Sequence, residues 1–349
     1  MSSKPDFYFK TTGIGSVPWE DIDKTCNKIL DHLPSIPFWP QLVRRSPFED
    51  MNIQFTEGLP LVNIDEGNRS INVSTEETEE ALVEFYSHYL ADDVDYFSIS
   101  RDYAPGLYRQ IELVSQNPDS YGDYIKGHTT GPVTFAASIK DEEGKAILGS
   151  PDLLEAFTKG LAIKALWQVR ELEKTGKKTI IFIDEPYLSG FGSAFSPIER
   201  HEVISLLKEV IDYLKEKSDT LVGIHCCGNT DWSMIVEAGP DIINFDAFSF
   251  LDYFLLYPDD ITRFIKGGGV IAWGIVPTGN SAGQGDLDEL YAKLNKGLEG
   301  LYSLGLDKDQ VQAASILTPA CGMGTMKEKD SDEVLDLLSG LYKKLASTF

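Results

Sequence analysis

The feature that most constrains the fold is a recurring pair of patterns: a short, unbroken apolar run, then a stretch with helical amphipathic spacing. The runs fall at residues 13–17, 36–42, 126–132, 179–184, 221–225, 241–246, 270–275 and 313–317. Continuous rather than alternating apolar runs read as strands buried on both faces of a parallel sheet. Helical stretches at 151–175, 197–217 and 286–304 lie between them, with Asp152 and Ser196 near the starts as candidate caps and Gly176 past an end. Alternating strand and helix make an α/β protein, and eight such units predict one closed (β/α)8 TIM barrel over residues 1–349. Periodicity alone leaves a doubly wound open sheet as the alternative. Residues 46–92 break the repeat. They hold an apolar stretch at 59–64 and a very acidic helix-like run from Thr75 onward. This segment reads as an elaborated loop with room for a hairpin, after the second strand and over one end of the barrel. Residues 280–285 read as a mobile loop after the seventh run.

Composition narrows the class of partner. Hydrophobic residues make up 42% and charged residues 25%, ordinary for a soluble globular protein. The net charge of −24 repels nucleic acid and anionic membranes, so neither is an expected partner. No apolar run is long enough to cross a bilayer, and the first six residues contain no signal-peptide core, so a cytoplasmic location is expected. Four cysteines in a chain this long do not make a disulfide scaffold. Cys26, inside a helical pattern, reads as a buried apolar side chain.

In a barrel of this kind the chemistry gathers at the carboxyl ends of the strands. Ser16, Thr130, Asp184, Glu185, His225, Cys227, Asp246 and Cys321 all fall at or just past such ends. Residues two apart on an extended segment point the same way, so His225 and Cys227 can reach one ion while Cys226 points elsewhere. Gly228 lets the backbone turn beside them. Cys321, in Pro319-Ala320-Cys321-Gly322, would close the set from the last strand. Two sulfurs and an imidazole suit an open zinc site, in which three protein ligands leave one position for substrate. The plain alternative is two buried cysteines and a satisfied histidine. Asp246 is a candidate fourth, displaceable ligand, though a rim aspartate equally caps a loop. Asp184 and Glu185 place two carboxylates where a substrate amine could bind, or cap a helix. The glycine turns Gly13-Ile14-Gly15-Ser16 and Thr130-Gly131-Pro132 offer amides and hydroxyls to a carboxylate.

These motifs carry a resemblance over most of the chain. The sequence resembles the catalytic barrel of cobalamin-independent methionine synthase, within the superfamily of uroporphyrinogen decarboxylase and the zinc methylcobamide:thiol methyltransferases. It rests on Ile14-Gly15-Ser16, Thr130-Gly131-Pro132-Val133-Thr134, Ile183-Asp184-Glu185-Pro186, His225-Cys226-Cys227-Gly228-Asn229, Asn244-Phe245-Asp246 and Pro319-Ala320-Cys321-Gly322. The resemblance implies zinc on His225, Cys227, Cys321 and an acidic residue, here Asp246 where the methionine synthases usually have Glu. It implies the homocysteine amine on Asp184 and its carboxylate at the Ile14-Gly15-Ser16 turn. Two departures stand out. The N-terminal barrel of the full-length enzymes has no counterpart in these 349 residues, and residues 273–278 lack the family's histidine, which protonates the departing folate. The resemblance is therefore to a short, core form, with a methylcobamide on a corrinoid protein expected as methyl donor ahead of methyltetrahydrofolate.

The chemistry that follows is thiol activation. A free thiol is only a few per cent thiolate at neutral pH, and coordination to zinc deprotonates it. The thiolate then takes the methyl group, and Asp184, Glu185 and Ser16 fix the amino acid. Methyl transfer to a coenzyme M-like thiol is the competing activity, and a zinc- or corrinoid-handling barrel without catalysis is the alternative from another class.

Overall fold

The computed structural model describes residues 6–74, 78–192, 198–279 and 282–347. Its strands are β1 (Lys10–Thr11), β2 (Val62–Asp65), β3 (Ser70–Val73), β4 (Tyr124–Thr130), β5 (Lys178–Asp184), β6 (Leu221–Cys226), β7 (Ile242–Phe245), β8 (Val270–Val276) and β9 (Ser315–Pro319). Seven of them form one sheet in the order β1-β9-β8-β7-β6-β5-β4, with every neighbouring pair parallel. β2 and β3 pair separately as an antiparallel hairpin, inside the segment expected to be an elaborated loop.

The sheet curls until its two edges meet across residues 36–41. Phe38 bridges to Lys126 of β4 and Gln41 bridges to Ser16 just past β1, both parallel. The Trp39 amide donates to the Lys126 carbonyl at 3.4 Å, and the Gln41 amide to the Gly15 carbonyl at 3.0 Å. The fold is thus the α/β barrel that the eight apolar runs predict. Its second stave stays a pair of bridges because Pro37 and Pro40 have no N–H to donate to a ladder. The first stave starts earlier than expected: the ladder to β9 covers Lys10–Thr11, and residues 13–17 lie beyond it, at the rim.

Helices cover the outside. The helix Pro151–Glu173 buries apolar residues on most of its faces, since it packs on the barrel and on its neighbours. Gly176 follows it at φ +74°, a left-handed conformation that glycine adopts without steric cost. Ser150, not Asp152, occupies the N-cap position there. The helix Arg200–Lys217 starts on a capping box between Glu199 and Glu202; Ser196, the expected cap, lies outside the described residues. The helix Leu287–Ser303 starts on a similar box between Asp286 and Glu289. Asn280 and Ser281 of the expected loop, and Thr75 of the acidic run, also lie outside the described residues; the run continues as the helix Thr78–Leu90.

The lumen decides where chemistry can sit. Alternate residues of each strand face inward. Near the amino ends these are Tyr124, Ile180, Phe182, Ile242, Val270, Ala272 and Ile316, which pack with Phe7 and Ile36 into one buried apolar cluster. The outward set, including Ile181, Ile183, Ile224, Phe245 and Trp273, joins the larger core beneath the helices. Continuing along the inward set toward the carboxyl ends, the residues become Lys126, His128, Thr130, Asp184, His225, Asn244 and Thr318, all buried. No described helix is long and apolar enough to cross a membrane.

Candidate metal centre and pocket

His225 and Cys227 follow the inward alternation of β6, while Cys226 turns outward into the helix-side core and is fully buried. Burial pushes the Cys226 thiol up to about 12, so it stays protonated. Cys321 arrives from the turn after β9. The ligand atoms of His225, Cys227 and Cys321 lie within 4.8 Å of one another. The turn is clamped to the loop after β1. Met323 donates its amide to the Ser16 carbonyl at 2.8 Å, and a Cβ on Gly322 would lie 2.2 Å from Ser16 Oγ. Gly228 is needed for a different reason than a left-handed turn: a Cβ there would lie 2.4 Å from Ser189 Cβ.

The neighbours set the protonation of this trio. The Cys321 thiol beside it and the His225 ring hold the Cys227 thiol down to about 4, against burial. Cys321 is raised in turn, first by the Cys227 sulfur and then by burial. The two sulfurs therefore titrate together, the first deprotonation favoured and the second opposed. Burial works against a charged His225, but Cys227, Asp184 and Asn244 outweigh it and raise its pKa.

Asn244 settles which imidazole nitrogen is available. Its Nδ2 donates to the Ala272 carbonyl and to Thr318 Oγ1, both at 2.8 Å, so its Oδ1 is the acceptor facing His225 Nδ1 at 2.5 Å. Nδ1 therefore carries a proton, and Nε2 is left to bind an ion. Along the chain Asn244 stands out only as part of the Asn244-Phe245-Asp246 motif, which does not reveal this role. Its inward register, two residues from Ile242, was the available signal.

His225, Cys227 and Cys321 line a cavity of about 370 Å³. Ile14, Ser16 and Asp184 line it too. Among the described residues the backbone N–H groups of Gly15 and Ser16 have no acceptor, and of the two residues Ser16 lines the cavity. A Cβ at Gly15 would lie 2.9 Å from the buried His128 ring, so only glycine fits there. Asp184 is buried with Oδ1 unpartnered. Burial raises its carboxyl to about 6, opposed by His225 and Lys126. Lys126, unnoticed in the sequence, is fully buried below it. Its Nζ donates to the Ile14 carbonyl at 2.6 Å and sits 4.4 Å from the centre of the Phe182 ring. Burial lowers Lys126 to about 7, and Asp184 opposes that fall.

Three expected site residues do other work. Glu185 faces away from the cavity. Its carboxylate accepts the amides of Val133 and Thr134 at 2.9 and 2.8 Å and the Thr134 hydroxyl at 2.6 Å, capping the helix Pro132–Ser138. Burial pushes it up to about 7, against those three hydrogen bonds. Glu185 is a positioning residue and not a catalytic one; the period-two rule that joins His225 to Cys227 also parts Asp184 from Glu185. Thr130 donates its hydroxyl to Asn52 Oδ1 at 3.0 Å and does not line the cavity. Asp246 stands outside the ligand trio and caps the helix Ala247–Phe254, accepting the Ser249 amide at 2.8 Å. A larger cavity, about 530 Å³, lies on the outer surface between Leu148, Leu154, Ile198 and Leu206 and holds none of these groups.

No family model matches the chain, and no curated protein matches it. Among solved structures it is similar to the GH113 beta-mannanase AaManA from Alicyclobacillus acidocaldarius in complex with ManMIm. The identity is 11% over 68% of this chain and 78% of that one, with a TM-score of 0.38. A likeness this remote carries no argument about the site.

Proposed function

We propose that this protein is a zinc-dependent S-methyltransferase that forms methionine from homocysteine, as a short form of the cobalamin-independent methionine synthase barrel. The carrying observation is that His225, Cys227 and Cys321 converge within 4.8 Å beside a cavity that also presents Asp184 and Ser16. Two thiols and an imidazole whose Nδ1 is held by Asn244, with Nε2 toward the sulfurs, are a donor set that suits zinc, and three protein ligands leave room for a substrate thiol. Bound there, zinc would act as a Lewis acid that lowers the pKa of that thiol.

The chain's own residues do the rest. Asn244 holds His225 in one tautomer. The amides of Gly15 and Ser16, with the Ser16 hydroxyl, receive the amino acid's carboxylate, and the unpartnered Asp184 oxygen receives its ammonium group. Burial raises the Asp184 carboxyl, and the Lys126 ammonium below it opposes that rise. Held at both ends, the amino acid presents its sulfur to the group of His225, Cys227 and Cys321. A carbon–sulfur bond forms as the donor–methyl bond breaks, the donor keeps the bonding pair, and the thiol proton passes to solvent. A methylcobamide on a corrinoid protein is the preferred donor, because residues 273–278 offer no histidine to protonate a folate nitrogen. Four free cysteines suit a reducing compartment, and we place the protein in the cytoplasm.

The test is methyl transfer by purified protein with zinc and homocysteine, offering methylcobalamin or methyltetrahydrofolate separately. Cys227→Ser and Cys321→Ser are expected to weaken zinc binding by more than about 100-fold, beyond what losing a supporting residue costs, and to abolish turnover. Normal metal content and normal transfer in both variants would refute the reading. Transfer to coenzyme M but not to homocysteine would move the activity to the competing thiol.

A further inference from the structure

We infer that Arg69 is the recognition group for an anionic moiety, a carboxylate or a phosphate, on the methyl donor; this rests on the methyl-transfer reading above. Arg69 is the one Arg or Lys side chain among those lining the cavity. It stands in the turn between β2 and β3, exposed at the mouth, while Ser16 and Asp184 lie deeper. Its Nη1 donates to the Val43 carbonyl at 2.6 Å, and no carboxylate lies within ion-pair distance among the described residues. That leaves Nε and Nη2 with donors to offer.

The backbone supports a reason for its placement. Arg69 has φ +50°, a left-handed conformation that hairpin turns usually assign to Gly or Asn. Gly67 and Asn68 are in the same turn, yet the left-handed position falls to an arginine. Such an outlier persists only where its surroundings hold it, and here it brings a guanidinium to the cavity. The amino acid's two charges are already met deeper in the cavity by Asp184 and by the Gly15 and Ser16 amides. The second substrate must enter past the mouth, where Arg69 stands. The field of a chain of net charge −24 opposes the approach of an anionic group, so a local guanidinium fork supplies the attraction that the surface lacks.

The experiment measures equilibrium binding of methylcobalamin, methylcobinamide and methyltetrahydrofolate to the zinc-loaded protein with homocysteine, for wild type, Arg69→Gly and Arg69→Gln, at low and moderate salt. Glycine suits the left-handed backbone, so R69G is expected to keep the fold. The expected result is about tenfold weaker binding of one anionic donor in both variants, the size of one charge-assisted contact, with homocysteine affinity unchanged and the salt dependence reduced. Loss confined to methylcobalamin, with methylcobinamide unaffected, marks the phosphate of the nucleotide arm; loss confined to methyltetrahydrofolate marks a carboxylate. Equal donor affinities in all three proteins overturn the inference, as does a loss of homocysteine affinity with the donors unchanged. Wild-type protein that takes up zinc and homocysteine but no donor overturns it while leaving thiol activation standing. Protein that takes up neither zinc nor homocysteine sinks the underlying reading, and the inference with it.

Discussion

At the amino end of the lumen, Ile180 and Phe182 of β5 pack with Tyr124, Ile242, Val270 and Ile316 in a cluster buried to the last side chain. Two residues further along the same strand, at the carboxyl end, stands Asp184 with an oxygen that has no partner. One set of strands builds both ends, so backbone geometry does not distinguish them. Side-chain chemistry does. The amino end releases apolar surface from water and sets how closely the strands approach. The carboxyl end keeps polar groups buried and partly unpartnered, which costs stability unless something binds there. The apolar plug is what makes that tolerable. It keeps Asp184, His225 and Asn244 in register although the loss of water around them opposes burial.

The comparison breaks most sharply at Phe182. Phe182→Ala empties part of the plug beneath Lys126 and is expected to lower unfolding free energy by about 3–5 kcal/mol in a urea titration. Zinc affinity of the protein that remains folded should stay close to wild type. A stable variant with impaired metal binding would show that the two ends are not separable.

The next largest effect lies at the polar end. Asn244→Ala removes the acceptor that keeps the proton on His225 Nδ1, and zinc affinity is expected to fall about 10- to 100-fold in competition with a chromophoric chelator. Stability without metal should change far less. An unaltered affinity would mean that His225 finds its tautomer without Asn244.

The smallest effect sharpens the comparison through pH. Burial raises Asp184, so it is an anion above about 6 and takes a proton below it. Homocysteine affinity should therefore fall as pH drops through about 6, by up to tenfold for each further unit, beyond any slope from the thiol itself. Asp184→Asn should lack that extra slope, because the thiol contributes equally to both proteins. Parallel titration curves would remove Asp184 from amine recognition.

Much of this was readable along the chain. Unbroken apolar runs identify the staves, because a strand covered on both faces has no room for solvated residues. His225 and Cys227 share a face by the two-residue period, and Cys321 ends the last run. The same period also separates Asp184 from Glu185. Which of that adjacent pair meets the cavity is not readable, since it depends on where the helix Pro132–Ser138 places its bare amides. Asp246 poses the same ambiguity between ligand and cap, and the cap is what the backbone of the next helix selects.

What the amino-acid sequence determined by itself is the local side of the molecule: where most of the staves and the long helices fall along the chain, and the donor types that can hold a soft metal ion. Periodicity and hydrogen-bonding capacity are properties of neighbouring residues, and they survive without a fold. Only the tertiary structure decided that Asn244, Lys126 and Arg69 belong to the site. Their partners lie on other strands and on a hairpin, His225 for Asn244, the Ile14 carbonyl for Lys126, the Val43 carbonyl for Arg69. Barrel closure brings those groups within hydrogen-bond reach, and spacing along one segment holds no record of contacts made across the lumen.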